Sequence, residues 1–259
     1  MNAVTPAPDK PARQRQGNGF ILWLTLAACL FAGFILLGNW QIRRLHWKLG
    51  LIHDVATRVH APPVPAPGPS SWKRIEAGHL QYLHILLKGR FLAGKQTLVH
   101  GTSIKGYGYW MMAPFQTDRG FVVLVNRGYI PPDLVGTPAF ARARAPAGTI
   151  TLTGLLRLTE PHGGFLRPNH PDANQWYSRD VAAIAKADAL PAAQVAPYFV
   201  DADAGSGSQE WPAGGLTKIH FDNPHLGYAI TWYLMALATA LGVGAMIFYR
   251  TRRTRHPSH

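Results

Sequence analysis

The sequence predicts a membrane protein, two transmembrane α-helices forming a hairpin that flanks a mostly β (α+β) external domain. Three observations carry this. Residues 20–37 are continuously apolar, residues 228–249 contain no charged side chain, and the stretch between them is broken into short strand-like segments punctuated by Gly, Pro and Asp. About 22 uncharged residues make roughly 33 Å of helix, against a hydrocarbon core of about 30 Å. The second run stops abruptly at Arg250, Arg252, Arg253 and Arg255.

The first run carries the chain's one cysteine, Cys29, within Leu26-Ala27-Ala28-Cys29, a sequence resembling a lipoprotein cleavage box. Apolar residues continue well past Cys29, where a processed lipoprotein turns polar, so an uncleaved anchor is the preferred reading. With Lys10, Arg13 and Arg15 before it, both ends are basic, and the positive-inside rule puts both termini in the cytoplasm. The expected order is a cytoplasmic disordered tail over 1–19, a span over 20–38 and an external, periplasmic domain over 39–224. A span over 225–249 and a basic cytoplasmic tail over 250–259 follow. Fewer than about 20 residues precede the first span, little room for a cleaved presequence, which points to a bacterial plasma membrane rather than a mitochondrial one.

Charge and cysteine content narrow the function. The formal charge is +13, but the cations are scattered and the tails are basic in the way that orients helices. Nucleic acid is therefore a poor partner, whereas an anionic lipid surface, a propionate-bearing ligand or an acidic protein suits the charge. One cysteine permits no intramolecular disulfide and no thiolate metal cluster.

Past the first span, Leu45, Leu49 and Ile52 recur at helical spacing and continue the helix as an amphipathic one. Arg43, Arg44 and Lys48 emerge at headgroup level, either to capture an anion or to snorkel. His46, His53 and His60 lie seven apart, about 10.5 Å of rise, too far to share one ion from a helix; they read as a solvated face. Residues 61–71 form a Pro-rich linker, stiff and extended. Strands are expected over 79–91, 96–100, 109–115, 121–125, 149–158 and 197–202, with a hairpin turn over 116–120. Asn126–Pro131 reads as an exposed turn, Asp180 as the cap of an Ala-rich helix over 180–190, and 204–215 as a Gly-rich loop. No phosphate loop, zinc-protease helix or nucleophile elbow occurs, which favours a binding or assembly protein over an enzyme.

The entry to the second span holds the best candidate site. His225 and Trp232 are seven apart and share a helix face, with Tyr228 and Ala229 between them. An imidazole at the water edge and an aromatic ring two turns deeper could hold a flat apolar ligand carrying a metal, and haem takes His as an axial ligand. The competing reading is an interfacial aromatic belt with a wet histidine.

Several blocks, in order, resemble the surfeit locus protein one family. They are Gly38-Asn39-Trp40-Gln41 with Trp47-Lys48; Gly106-Tyr107-Gly108 with Pro114; and Val125-Asn126-Arg127-Gly128-Tyr129-Ile130-Pro131. Thr153-Gly154-Leu155-Leu156-Arg157, Trp176 with Arg179-Asp180, Tyr198-Phe199-Val200-Asp201-Ala202, and Asn223 and His225 through Tyr228 to Thr231-Trp232 complete the set. Tyr129 stands where the family usually has Trp, and Pro224 sits inside the last block. The resemblance implies an assembly factor for haem–copper cytochrome c oxidase that binds haem a as cargo and assists its insertion into the catalytic subunit. It implies that subunit as a partner, haem a synthase as a further one, and His225 and Trp232 as haem-binding residues with His225 on the iron. Tyr228 lies on the same face, and Arg43, Arg44 and Arg127 are the cations on offer for the propionates. A different class remains open: a scaffold that holds oxidase subunits through the external domain without touching the cofactor. Copper delivery is a poor third, since Cu(I) prefers sulfur ligands.

Overall fold

A computed structural model describes residues 12–76, 80–164, 166–205, 211–217, 219 and 221–255. The chain divides into two compact units, Met1–Ile52 with Phe221–His259, and His53–His220.

The first unit is a helix pair. Helix α1 (Ala12–His60) is continuous, so residues 12–19 are helical rather than the disordered tail expected from composition; residues 1–11 lie outside the described residues. The last turns of α1, from His53, belong to the second unit. His46, His53 and His60 are exposed on it, the solvated face that their spacing suggested. Helix α5 (His225–Arg255) begins directly after Pro224, whose carbonyl accepts from the Tyr228 amide at 3.3 Å. Both helices are long and apolar enough to cross a bilayer, and both present large apolar side chains outward, Leu22 and Leu241 among them.

Where α1 and α5 meet, the buried positions are small or polar. Ala27, Gly38 and Gln41 on α1 and Ala229 and Ala236 on α5 are buried, eleven and three residues apart on α1 and seven apart on α5, spacings that keep one helix face. Gly38 is required there, because a Cβ would lie 2.7 Å from the Tyr233 ring. Small residues let two helices approach where lipid supplies no hydrophobic drive between them. The contacts run antiparallel, from His225 against Gln41 at one end to Arg250 over the Phe20 ring at the other.

The second unit is strand-rich. Its strands are β1 (Val64–Pro65), β2 (His84–Phe91), β3 (Thr97–Ser103), β4 (Gly106–Thr117), β5 (Val122–Ile130), β6 (Ile150–Leu158) and β7 (Val195–Ala202). They lie in the order β1-β2-β6-β7-β5-β4-β3, and a further β2–β4 pairing closes five of them into a barrel. The parallel β5–β7 pair among otherwise antiparallel neighbours makes it a five-stranded Greek-key barrel. Ile85, Leu87, Phe115, Val123, Val125 and Val200 form one core cluster. A second contains Val122, Leu124, Phe199, Trp176 and Ile184. Strand β5 is thus buried on both faces, and its continuous apolar run follows from that. Among its described residues the unit also has three short α-helices, α2 (Trp72–Glu76), α3 (Pro138–Arg142) and α4 (Val181–Ala187). Asp180 caps α4 through a bond from the Ala183 amide at 3.1 Å.

Two further segments differ from the sequence reading. The Pro-rich stretch 61–71 is not a free linker. Val64–Pro65 pairs with Ile85 and Leu86, Ala66 is buried, and the Pro67 carbonyl accepts from the Tyr198 hydroxyl at 2.9 Å. Pro is tolerated there because β1 lies at a sheet edge. Asn126–Pro131 is likewise not an exposed turn, for β5 runs on to Ile130 with Asn126, Tyr129 and Ile130 buried. Polar residues survive inside this strand because Asn126 is hydrogen-bonded to Asp201 at 2.7 Å. Gly128 has φ +135, and a Cβ on it would lie 2.3 Å from the Ala213 carbonyl, where Tyr129 and Ala213 exchange two backbone bonds. Residues 211–215 of the expected loop are therefore laid against the barrel; residues 206–210 lie outside the described residues.

Candidate functional site in the helix pair

His225 is the first residue of α5 and is half-buried. Its Nδ1 lies 2.8 Å from Oε1 of Gln41, which is 8% exposed on α1. A glutamine carbonyl only accepts, so this contact needs the proton on Nδ1 and leaves the Nε2 lone pair open. No described residue hydrogen-bonds Nε2. Two residues earlier, Oδ1 of Asn223 is buried with no hydrogen-bond partner among the described residues.

Trp232 is on the same face, as the seven-residue spacing required. Its ring stacks on Phe34 of α1, with centroids 5.9 Å apart and planes at 25°. Between His225 and Trp232, Ala229 is 1% exposed, so the two helices touch there. Tyr228 is one turn from His225 and exposed. The arrangement presents an imidazole nitrogen backed by a buried amide, with the Trp232 and Phe34 rings packed two turns further along.

The cations separate. Arg43 and Arg44 are exposed on α1 within a turn of Gln41, and the Arg44 guanidinium lies 4.0 Å over the Trp47 ring. Arg127 belongs to the barrel unit, and both of its terminal nitrogens make hydrogen bonds there. Nη1 bonds the Ala143 carbonyl at 2.6 Å, at the end of α3, and Nη2 bonds the Arg144 carbonyl at 3.2 Å. Burial lowers its pKa to about 10, and its bond to the Ala143 carbonyl ties it to the end of α3.

The barrel holds a polar network that sequence reasoning missed. Asp201 is buried and accepts from Asn126 at 2.7 Å, Arg157 at 2.8 Å, Thr217 at 2.9 Å and Arg179 at 3.3 Å. Arg179 also grips Glu160; burial alone would raise that carboxyl's pKa, but the guanidinium bonds and charge hold it below the ordinary value. These partners come from four separate parts of the chain, and no spacing in the sequence announces them.

The fold defines a class: two helices long and apolar enough to cross a bilayer, with a closed Greek-key barrel between them in the chain. A family model described as "SURF1 family" matches residues 28–237. The chain is 32% identical over 250 residues to rat Surfeit locus protein 1, covering 90% of this chain and 77% of the rat protein. It is 32% identical to the human Surfeit locus protein 1 over 251 residues, 90% of this chain and 80% of that one. A SURF1-like protein of Caenorhabditis elegans is 30% identical over 245 residues, 86% of this chain and 72% of the worm protein. The chain belongs to the SURF1 family.

Proposed function

We propose that this protein is a membrane-anchored assembly factor for haem–copper cytochrome c oxidase that binds haem a and assists its insertion into the catalytic subunit. Family membership supports the assembly role. The observation that carries the haem reading is the open Nε2 of His225, held at the start of a helix by a buried amide on its other nitrogen. A neutral imidazole with one nitrogen hydrogen-bonded and the other free is the form in which histidine binds metals. His225 would ligate the iron, Trp232 and Tyr228 would pack against the macrocycle, and Arg43 and Arg44 are the cations at hand for its propionates. When bound, the haem supplies only its own redox chemistry; this chain's part is to hold, orient and release it.

The bilayer reading rests on α1 and α5, whose outward apolar side chains would cost about 25 cal/mol per Å² if left in water. Basic residues at both ends of the chain favour cytoplasmic termini with the barrel on the other side, the periplasm in a bacterial plasma membrane.

A second reading, a scaffold that binds oxidase subunits and no cofactor, is favoured by one surface of the barrel. Ile104 is 81% exposed beside exposed Tyr107, which stacks with His100, itself stacked on Tyr177 at 4.9 Å. Exposed apolar and aromatic groups together mark partner surfaces. Purifying the chain from cells that make haem a separates the two. A co-purifying haem pigment supports cargo binding; recovery of the catalytic subunit with no pigment supports the scaffold.

A further inference from the structure

We infer that Gln41 is a positioning residue for His225. It selects the imidazole tautomer that offers Nε2 to a metal, and its neutral amide keeps the resulting bond weak enough for the cargo to leave. The inference rests on the reading of His225 as a haem ligand, but its first half is measurable without haem.

The two residues are 184 positions apart and meet only because α1 and α5 pair. Gln41 lies in the seam, one turn from Gly38, whose missing side chain lets the helices approach. Its carbonyl oxygen is therefore fixed rather than free to follow water. An acceptor fixed 2.8 Å from Nδ1 requires Nδ1–H, and the lone pair then belongs to Nε2. The nitrogen that ligates a metal is set by the hydrogen bond that the other nitrogen makes.

The chemistry of the acceptor matters as much as its place. Metal-binding histidines often donate to a carboxylate, which raises ligand basicity, and changing such a partner typically alters metal affinity about 10–100-fold. Here the partner is an amide with no charge. It orients the ring without the electrostatic pull of a carboxylate, which suits a protein that must surrender its ligand. A resident cofactor would be better served by Glu at this position.

The test uses the full chain in lipid nanodiscs, labelled with ¹⁵N-histidine, as wild type, Gln41→Leu and Gln41→Glu. The His225 resonances are assigned by their loss in His225→Ala. Without haem, wild type should show the ring protonated at Nδ1 alone, Gln41→Glu should keep Nδ1 protonated whether or not Nε2 takes a second proton, and Gln41→Leu should lose the Nδ1 preference. Rescue by Glu distinguishes positioning from packing. With haem b added as probe, transfer to excess apomyoglobin should be about ten-fold slower from Gln41→Glu than from wild type, and faster from Gln41→Leu. The same tautomer in wild type and Gln41→Leu overturns the positioning role. Equal transfer rates from wild type and Gln41→Glu overturn the release role. A haem spectrum that ignores His225→Ala removes the ligand reading while the tautomer result still judges Gln41.

Discussion

The Tyr233 ring lies over Gly38 so closely that a single added methyl would stand 2.7 Å from it, while the Tyr233 hydroxyl donates to Asn39 at 2.8 Å. The glycine is thus a contact surface, and its replacement should show a sign that depends on the tyrosine.

Gly38→Ala gains helix propensity worth about 1 kcal/mol but must displace the tyrosine, at a cost of about 1–3 kcal/mol. The expected result is a lower melting temperature in the wild-type background and a higher one in Tyr233→Ala. Thermal unfolding of the four proteins of that cycle in one detergent measures it. Equal shifts in both backgrounds would mean that the ring does not rest on the glycine.

The Asp201 network predicts a large loss from a small change. Asp201→Ala removes a buried carboxylate shared by two part-buried guanidinium groups, and breaking such a pair costs up to about 3–5 kcal/mol. Urea unfolding of the full chain should show that loss. A change below about 1 kcal/mol would mean that Glu160 and water compensate.

A pH dependence follows from His84, which contacts the Ala61 carbonyl and the Asp203 carboxylate, each at 2.9 Å. Burial would lower its pKa, but those two bonds and the Asp203 charge outweigh burial and raise it above the ordinary histidine value. A raised histidine contributes stability that is fully present below its unfolded pKa and is lost as pH rises through the folded value. His100 is lowered, by burial and by Arg167, and acts in the opposite sense. The clean readout is therefore the difference between wild type and Asp203→Asn. That difference should be large near about pH 5.5 and shrink toward about pH 8.5. A difference independent of pH would remove the His84–Asp203 pair as its source.

Much of this molecule was legible because its signals are local. An uninterrupted apolar run announces a long helix, alternating or continuous β-branched residues announce strands, and Asp180 announces a helix start. The seven-residue spacing of His225 and Trp232 placed them on one face, where both are found. What stayed hidden was whatever depends on partners far along the chain. Asn126 and Arg127 looked like turn residues until Asp201 and the end of α3 supplied their bonds. The prolines of 61–71 looked like a linker until β2 and Tyr198 gave them places. Gln41 was visible as part of a block, but its role exists only where α1 and α5 touch.

The most direct test of the account is the visible spectrum of the purified full chain loaded with haem, compared with that of His225→Ala prepared identically. The account predicts that the variant still inserts and folds but binds less haem, and that what remains loses the spectrum of a histidine-ligated iron. An unchanged spectrum and unchanged haem content in His225→Ala would contradict it.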